Sequence, residues 1–581
     1  MHPVTQTITD QGTADVARCD GIRSQWLAAA VIVVLTGAAY VPAMRGGFVW
    51  DDGDHLLRNP VVQDATPARI WFSPMSAFEY YPVTWTSYWL EHRLWGMDPT
   101  GYHVVNVLLH AASTLLLWRV LRRLAIPAAL TVALLFALHP VNVESVAWVT
   151  QRKNVLSMFF MVAALLAYLR FEDARRAAWY LGAAASFTLA MLSKSGVIGL
   201  PIVLLLLAWW RRGAIDRRDV WRVLPFLAVA VLATLIQQPV RDANVIGQVV
   251  VRDDGFFARL AGAGWAVWFY LYKAVLPINL SFIYPRWQID PTNPLVYVPG
   301  AALVAVAVLC WRMRGSWGRP AMFALAVYLV MVGPALGLVD FYYLRYSFVA
   351  DHYQYYAIIA VLGLIVPVVM SFLRRYKAAG IAAAVLVAGF GVLTYRQSTP
   401  YRTEQTLWRD VLRKNPDAWL AHNNLGNRLA QDGQVSDALY HYRESLRSNP
   451  DYAVAQNGLG ALLLTLRRIE EATPHLQRAV ELDPQMSRAH RNLGVALLEL
   501  GRYEKAVARL ERYLQFEPED GYGHYCLGIA LTALKDNEGA LQSLERAATY
   551  MPGHQGIRQD IRSRIEDLRK SSVLRGAPPG T

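Results

Sequence analysis

Between residues 24 and 395 the chain holds eleven stretches of 16 to 21 residues with no Asp, Glu, Lys or Arg: 24–44, 103–118, 124–143, 154–169, 177–193, 195–210, 223–240, 291–311, 320–339, 353–373 and 378–395. A membrane-spanning helix needs about 20 mostly apolar residues, with roughly 17–25 the usual range. The series therefore predicts a polytopic helical membrane domain. A twelfth run, 260–272, has 13 residues between Arg259 and Lys273. At about 1.5 Å per residue it is too short to cross unless Lys273 snorkels, and it is read as interfacial. Charged residues make up 17% of the chain, against about 25% in soluble proteins, which excludes a wholly soluble protein. After residue 396 the charge returns and a soluble segment follows.

The basic residues give the topology. With the N-terminus in the cytoplasm and 260–272 uncrossed, Arg119, Arg122 and Arg123, Arg170, Arg175 and Arg176, Arg211, Arg212, Arg217 and Arg218, Arg312, Arg314 and Arg319, and Arg374, Arg375 and Lys377 all fall inside, as the positive-inside rule requires. Eleven crossings then place the C-terminal part on the far side. The net charge of +13 reflects these turns and not nucleic-acid binding. Residues 1–23 lack a cleavable signal pattern, so the first span is expected to be an uncleaved anchor. Cys19, Cys310 and Cys526 are too far apart in sequence to imply a disulfide framework or a metal motif.

The same topology gathers charged residues at the outer ends of the spans: Asp51, Asp52 and Asp54, Glu79, Glu144, Arg152 and Lys153, Lys194, Asp253 and Asp254, Arg286, Asp340 and Arg345, and Asp351 and His352. Mixed carboxylates and cations in such places mark a site more often than a single one does. Adjacent carboxylates after the first span, in Gly-Gly-Phe-Val-Trp-Asp-Asp-Gly-Asp-His (46–55), suit proton abstraction from a hydroxyl or a share in holding a cation. Without a His/Cys cluster they leave Mg²⁺, Mn²⁺ or no metal open, with Asp51, Asp52 and Glu144 the candidate ligands. His139 reads as a packed helix-end histidine.

The soluble segment is periodic. Prolines recur at 416, 450, 484, 518 and 552, Leu-Gly at 425–426, 459–460, 493–494 and 527–528, and alanine at 438, 472, 506 and 540. A 34-residue period of this kind is that of tetratricopeptide repeats. Four repeats span 417–552, preceded by a connecting helix at 397–416 that carries Trp408, and followed by a capping helix and loose tail at 553–581. Asn423, Asn424, Asn457 and Asn492 fall on or near the expected inner side, where asparagine suits an extended peptide backbone. Cys526 shares the slot of Asn424 and Asn492 and reads as a small packed residue.

The chain carries Tyr-Tyr-Pro-Val-Thr-Trp-Thr-Ser-Tyr-Trp-Leu (80–90), Leu-Phe-Ala-Leu-His-Pro-Val-Asn-Val-Glu-Ser-Val-Ala-Trp-Val-Thr-Gln-Arg-Lys-Asn (135–154), Leu-Ser-Lys-Ser-Gly (192–196) and Ala-Asp-His-Tyr-Gln-Tyr-Tyr (350–356). In this order, after the acidic motif and before helical repeats, it resembles the transmembrane-and-tetratricopeptide-repeat O-mannosyltransferases, a GT-C type of integral membrane glycosyltransferase. The resemblance implies an all-α GT-C membrane domain at 24–396 and a lipid-phosphate-linked sugar as donor. It implies that Asp51 is the base, Asp52 its partner and Glu144 a second acidic position. Arg152, Lys153, Lys194, Arg345 and His352 are the candidates for the donor phosphate, and His352 departs from the family's basic residue. An Ala-, Arg- and Leu-rich composition with only four repeats points to a bacterial relative. The carrier is then a polyprenyl phosphate, the membrane the inner one, the repeats periplasmic and mannose an assumption. Exported proteins, recruited through the repeats, are the expected acceptors. A transferase acting on an envelope glycan or lipid, and a non-catalytic repeat scaffold anchored in the membrane, are the competing readings.

Overall fold

The computed structural model describes residues 23–73, 79–241, 251–551 and 555–576. All regular elements among them are helical. They form two compact units, one ending at Asn415 and the other beginning at Pro416. Apart from Arg23, the expected N-terminal tail with Cys19 lies outside the described residues, as do residues 577–581.

In the first unit each of the eleven apolar runs coincides with a helix. Among the described residues seven helices are long and apolar enough to cross a membrane unaided, and an eighth candidate, Ala129–Ala137 with Pro140–Ala147, is bent by 45°. Arg23–Ala39, Ala177–Ser193 and Ile358–Arg374 are shorter apolar helices, so length alone supports seven or eight of the eleven expected crossings. Proline starts many of these elements because its missing N–H falls where a helix has no acceptor for one. Asn59-Pro60, Thr66-Pro67, Asp98-Pro99, His139-Pro140 and Asn293-Pro294 each pair it with a side chain that caps the first turn.

The basic turns gather at one end of the unit. Arg123 pairs with Asp173 at 2.6 Å, Arg211 with Glu172 at 2.9 Å, and Arg212 with Asp219. The run at 260–272 proves to be part of a 20-residue helix, Phe256–Val275. Its charged ends extend it, because their charges are met by protein. Arg259 pairs with Asp340 at 2.7 Å, and Lys273 donates to the carbonyls of Ile278 and Asn279. At the far end of the helix His139 bonds the Ala274 carbonyl at 3.0 Å. Asp340 follows one span and His139 ends another, both away from the basic turns. One end of this helix is thus tied to the segment after Gly318–Val332 and the other to the turn between Ala129–Ala137 and Pro140–Asn142.

Residues Glu404–Lys414 form a helix within the first unit. Trp408 is fully buried, 5.7 Å from Phe282 and 6.3 Å from Trp50 between ring centres.

The second unit is four helix pairs, Trp419–Gln431 with Val435–Ser448, Ala453–Thr465 with Ile469–Leu482, Ser487–Glu499 with Tyr503–Phe516, and Gly521–Ala533 with Asn537–Tyr550, followed by Gln555–Gly576. The repeated glycine is a close approach. A Cβ at Gly460, Gly494 or Gly528 would stand 2.6–2.7 Å from Leu476, Leu510 or Leu544 of the paired helix. The repeated alanines are fully buried. One further periodic contact joins each turn to its helix. His422, Gln456, His490 and His524 bond the carbonyls of Pro416, Pro450, Pro484 and Pro518 at 2.9–3.0 Å. The last helix covers the fourth repeat through Ile561 and Leu568, which join Ala540, Leu544 and Ala547. Cys526 is buried between Leu510 and Leu527.

Candidate active site

The acidic motif begins at a tight approach. A Cβ at Gly46 would meet the Tyr401 carbonyl at 3.0 Å, and the Gly47 N–H donates to the Arg402 carbonyl at 2.8 Å. Trp50 then adopts φ +49°, a left-handed conformation that is a true outlier for a bulky residue. It is held there by rings on several sides: Trp148 at 5.3 Å, Phe282 at 5.4 Å and Tyr346 at 5.9 Å. The strained residue aims the next two carboxylates apart. Asp52 is fully buried and accepts from the Val49 N–H at 2.9 Å, the Thr150 N–H at 2.7 Å and the Thr150 hydroxyl at 2.5 Å. It ties the first loop to the segment after the bent helix pair. Burial, and after it the charge of Asp51, push its carboxyl up to about 7. Asp51 is partly exposed. It accepts from the Trp148 indole at 3.0 Å and faces the His55 ring at 3.4 Å. Asp51 is thus the more accessible member of the pair.

The remaining candidates sort by their partners. Glu144 and His352 meet, with His352 Nδ1 and Glu144 Oε1 sharing a hydrogen bond at 2.7 Å and both residues buried. Burial, then Lys194 and Lys153, hold the imidazole well below its usual pKa, so it carries no charge for a phosphate. Arg152 is also excluded. It is fully buried, forked onto Glu91, and donates to the Tyr102 carbonyl at 2.8 Å and to Asn106 and Ser87. All its donors serve the fold, so the expectation that it binds phosphate is corrected. Lys153 is ion-paired with Glu79 at 2.6 Å. Lys194 makes a single bond, to Gln151 at 3.3 Å. Arg345 lies over the Tyr342 and Tyr346 rings and makes no ion pair among the described residues. Tyr346 in turn packs on Trp50, the residue before Asp51. Among the described residues Lys194 and Arg345 make no ion pair, and burial, then Lys153, push the Lys194 ammonium down to about 7.

A divalent cation finds no cage on the expected ligands. Among the described residues no three His, Cys, Asp or Glu side chains converge. Asp52 is saturated by protein donors and Glu144 by His352.

In the repeats the asparagines bond one another. Asn423 donates to Asn424 at 3.0 Å and Asn492 to Asn457 at 2.9 Å. The Asn423 carbonyl and the Asn424 amide are left without a partner.

Thr150, Trp148 and Glu91 carry no site role in the sequence reading, yet they place Asp52, Asp51 and Arg152. Thr150 and Trp148 lie within the quoted motif 135–154, between Glu144 and Arg152, but are themselves uncharged, so the reading by charge passes over them. Glu91 had a signal, being an acid within the aromatic helix Pro82–Trp95.

Residues 82–240 match the family profile described as dolichyl-phosphate-mannose-protein mannosyltransferase. Residues 405–453, 457–521 and 500–553 match the tetratricopeptide repeat. Protein O-mannosyl-transferase F38B6.6 of Caenorhabditis elegans is 25% identical over 461 residues, covering 74% of this chain and 64% of its own length. Protein O-mannosyl-transferase TMTC3 of Mus musculus is 33% identical over 149 residues, 24% of this chain and 16% of its own length. Protein O-mannosyl-transferase Tmtc1 of Drosophila melanogaster is 34% identical over 144 residues, 22% of this chain and 17% of its own. The chain spans less than two thirds of the length of each of these relatives. It joins a mannosyltransferase-type membrane segment to tetratricopeptide repeats, and is homologous to the transmembrane-and-tetratricopeptide-repeat protein O-mannosyltransferases.

Proposed function

We propose that the chain is an inner-membrane glycosyltransferase that moves a sugar, mannose by analogy with its relatives, from a polyprenyl-phosphate carrier to Ser/Thr hydroxyls of exported proteins. The observation that carries this reading is the division of labour in the acidic motif: Asp52 is bound up in the fold while Asp51, on a strained turn, keeps a partly exposed carboxylate. Arg345, without an ion pair among the described residues, and Lys194, which burial and Lys153 push down to about 7 and which is charged when protonated, are the basic groups proposed for the phosphate. In the reaction the acceptor oxygen attacks the anomeric carbon and its proton passes to Asp51. The new oxygen–carbon bond forms as the carbon–oxygen bond to phosphate breaks, and the pair of electrons leaves on polyprenyl phosphate. Fixed cations favour that leaving charge. Single displacement inverts the sugar. The eleven-crossing topology puts the N-terminus in the cytoplasm and the motif, with the repeats, in the periplasm, where the asparagines of the repeats engage extended acceptor segments.

The test compares exported proteins from a deletion strain complemented with wild type or with Asp51→Asn at matched expression. Glycopeptide spectra are expected to show hexose increments that require Asp51. Unchanged protein spectra, with a loss in envelope glycans or lipids, would move the acceptor to those molecules. No change in either would favour the scaffold.

A further inference from the structure

The third repeat departs from the others in its charges. In the second repeat Arg468, at the N-cap of Ile469–Leu482, is forked onto Glu471 at 2.5 and 2.7 Å. One 34-residue period later the arginine returns as Arg502, at the N-cap of Tyr503–Phe516, but the acid is replaced by Lys505. The first repeat has Asp437 in that slot and the fourth Gly539. Arg509 adds a third cation one turn on, where the first two repeats have His441 and His475. Arg502, Lys505 and Arg509 are spaced so that they share one side of the helix. None of them makes an ion pair or a side-chain hydrogen bond among the described residues. Glu504, the acid of that first turn, pairs with none of them. Like charges at these spacings destabilise a helix, and cations at its first turn oppose the macrodipole. An anion bound there would offset both.

The three cations line one wall of a cleft between the second helices of the second and third repeats. Glu470, Pro474 and Gln477 line the facing wall. The cleft has a volume of about 650 Å³, inside the roughly 300–1,000 Å³ of ligand sites. It is open because the slot that holds Tyr440 in the first repeat and Gln542 in the fourth holds Pro474 and Ala508 here. Pro474 also has no N–H to give the Glu470 carbonyl, four residues back, and so leaves that carbonyl without its helical donor. Cations, a side-chain amide and a spare carbonyl together suit the carboxylates and the N–H groups of an extended acidic peptide. A bilayer surface is too flat to enter a cleft. The asparagines Asn423, Asn424, Asn457 and Asn492 lie on the first helices of their repeats, so this cleft is a separate surface.

We propose that the cleft docks an acidic, extended segment of a partner protein, with Arg502, Lys505 and Arg509 pairing its carboxylates and Gln477 bonding its backbone. The proposal does not depend on the glycosyl-transfer reading.

The experiment follows the fluorescence anisotropy of a fluorescein-labelled dodecapeptide of alternating Glu and Gly, titrated with the purified full-length protein in nonionic detergent. A peptide of alternating Gln and Gly is the control. Wild type is expected to bind the acidic peptide, more weakly as salt rises, and not the control. Lys505→Glu gives Arg502 the partner that Arg468 has, so it should fold at least as well as wild type. It is expected to weaken binding by about fivefold or more. Arg562→Glu, on the closing helix, makes the same change in net charge outside the cleft and is expected to leave binding unchanged. The proposal is overturned if wild type does not bind the acidic peptide, or binds both peptides equally. Equal binding by wild type and Lys505→Glu would also overturn it, as would equal losses in the two variants. A loss in Lys505→Glu seen only towards micelles doped with phosphatidylglycerol would overturn it in favour of a lipid-facing surface.

Discussion

The two neighbouring aspartates do different work because one is buried and the other is not. Asp51→Asn removes the proposed base, which is partly exposed, and is expected to lower kcat by about 10²–10⁴-fold, with an unchanged melting temperature. Asp52→Ala instead strands the Val49 and Thr150 N–H groups, each worth roughly 1–3 kcal/mol when left unpaired, so it should lower the melting temperature first. The Asp52 carboxyl, raised to about 7 by burial and by Asp51, keeps in the folded protein a proton that the unfolded chain releases near about 3.9. Its stabilising effect is therefore present in acid and lost as pH rises from about 4 to about 7. The melting temperature of wild type relative to Asp52→Asn should fall across that window and level off above it, as a pH series by differential scanning fluorimetry would show. Arg152 and Lys153 are adjacent but not equivalent. Arg152→Ala leaves Glu91 as an unpaired buried charge and is expected to cost about 3–5 kcal/mol, read as loss of folded protein. Lys153→Ala should leave expression intact, because its partner Glu79 is partly exposed.

At the scale of elements, the helix Phe256–Val275 decides the topology of everything after it. Length alone would let it cross, since its 20 residues reach about 30 Å. Its ends are tethered by Arg259 to Asp340 and by Ala274 to His139, and a helix that lies along one face is the expectation to test. In a background with Cys19, Cys310 and Cys526 replaced, single cysteines at Asp253 and Ile278 are expected to react with an impermeant maleimide from the same side of the membrane. Reaction from opposite sides would make the helix a span and invert the four that follow.

The whole molecule is two units built on different principles, one by burying polar groups among apolar helices and one by stacking a repeated pair. The second depends on its ends, since a terminal repeat exposes a face that inner repeats cover. Ile561 is fully buried against the fourth repeat. Ile561→Ala in the segment from Pro416 onward should cost about 2–5 kcal/mol, seen by circular dichroism as fraying at lower temperature than in the unaltered segment.

Helix positions, the repeat and its closing helix could all be read from the chain alone, because they follow from runs and periods that recur locally. The 34-residue spacing of Pro, Leu-Gly and Ala predicts which residues must be small, and Gly460, Gly494 and Gly528 are small because a leucine lies opposite each. The acidic motif was visible too, and so was the set of charged residues around it. Which of those charges are free was settled only by tertiary structure. Arg152 and Lys153 look alike in sequence, and only the position of Glu91, 61 residues earlier, separates a brace of the fold from a residue at the site. Asp51 and Asp52 are chemically identical, and only the arrival of Thr150, 98 residues on, buries one of them. Local pattern determines where the backbone runs, because propensity and burial act over a few turns. Pairing of charges across distant segments determines what a side chain is free to do, because burying an ion requires a partner that the local sequence does not contain.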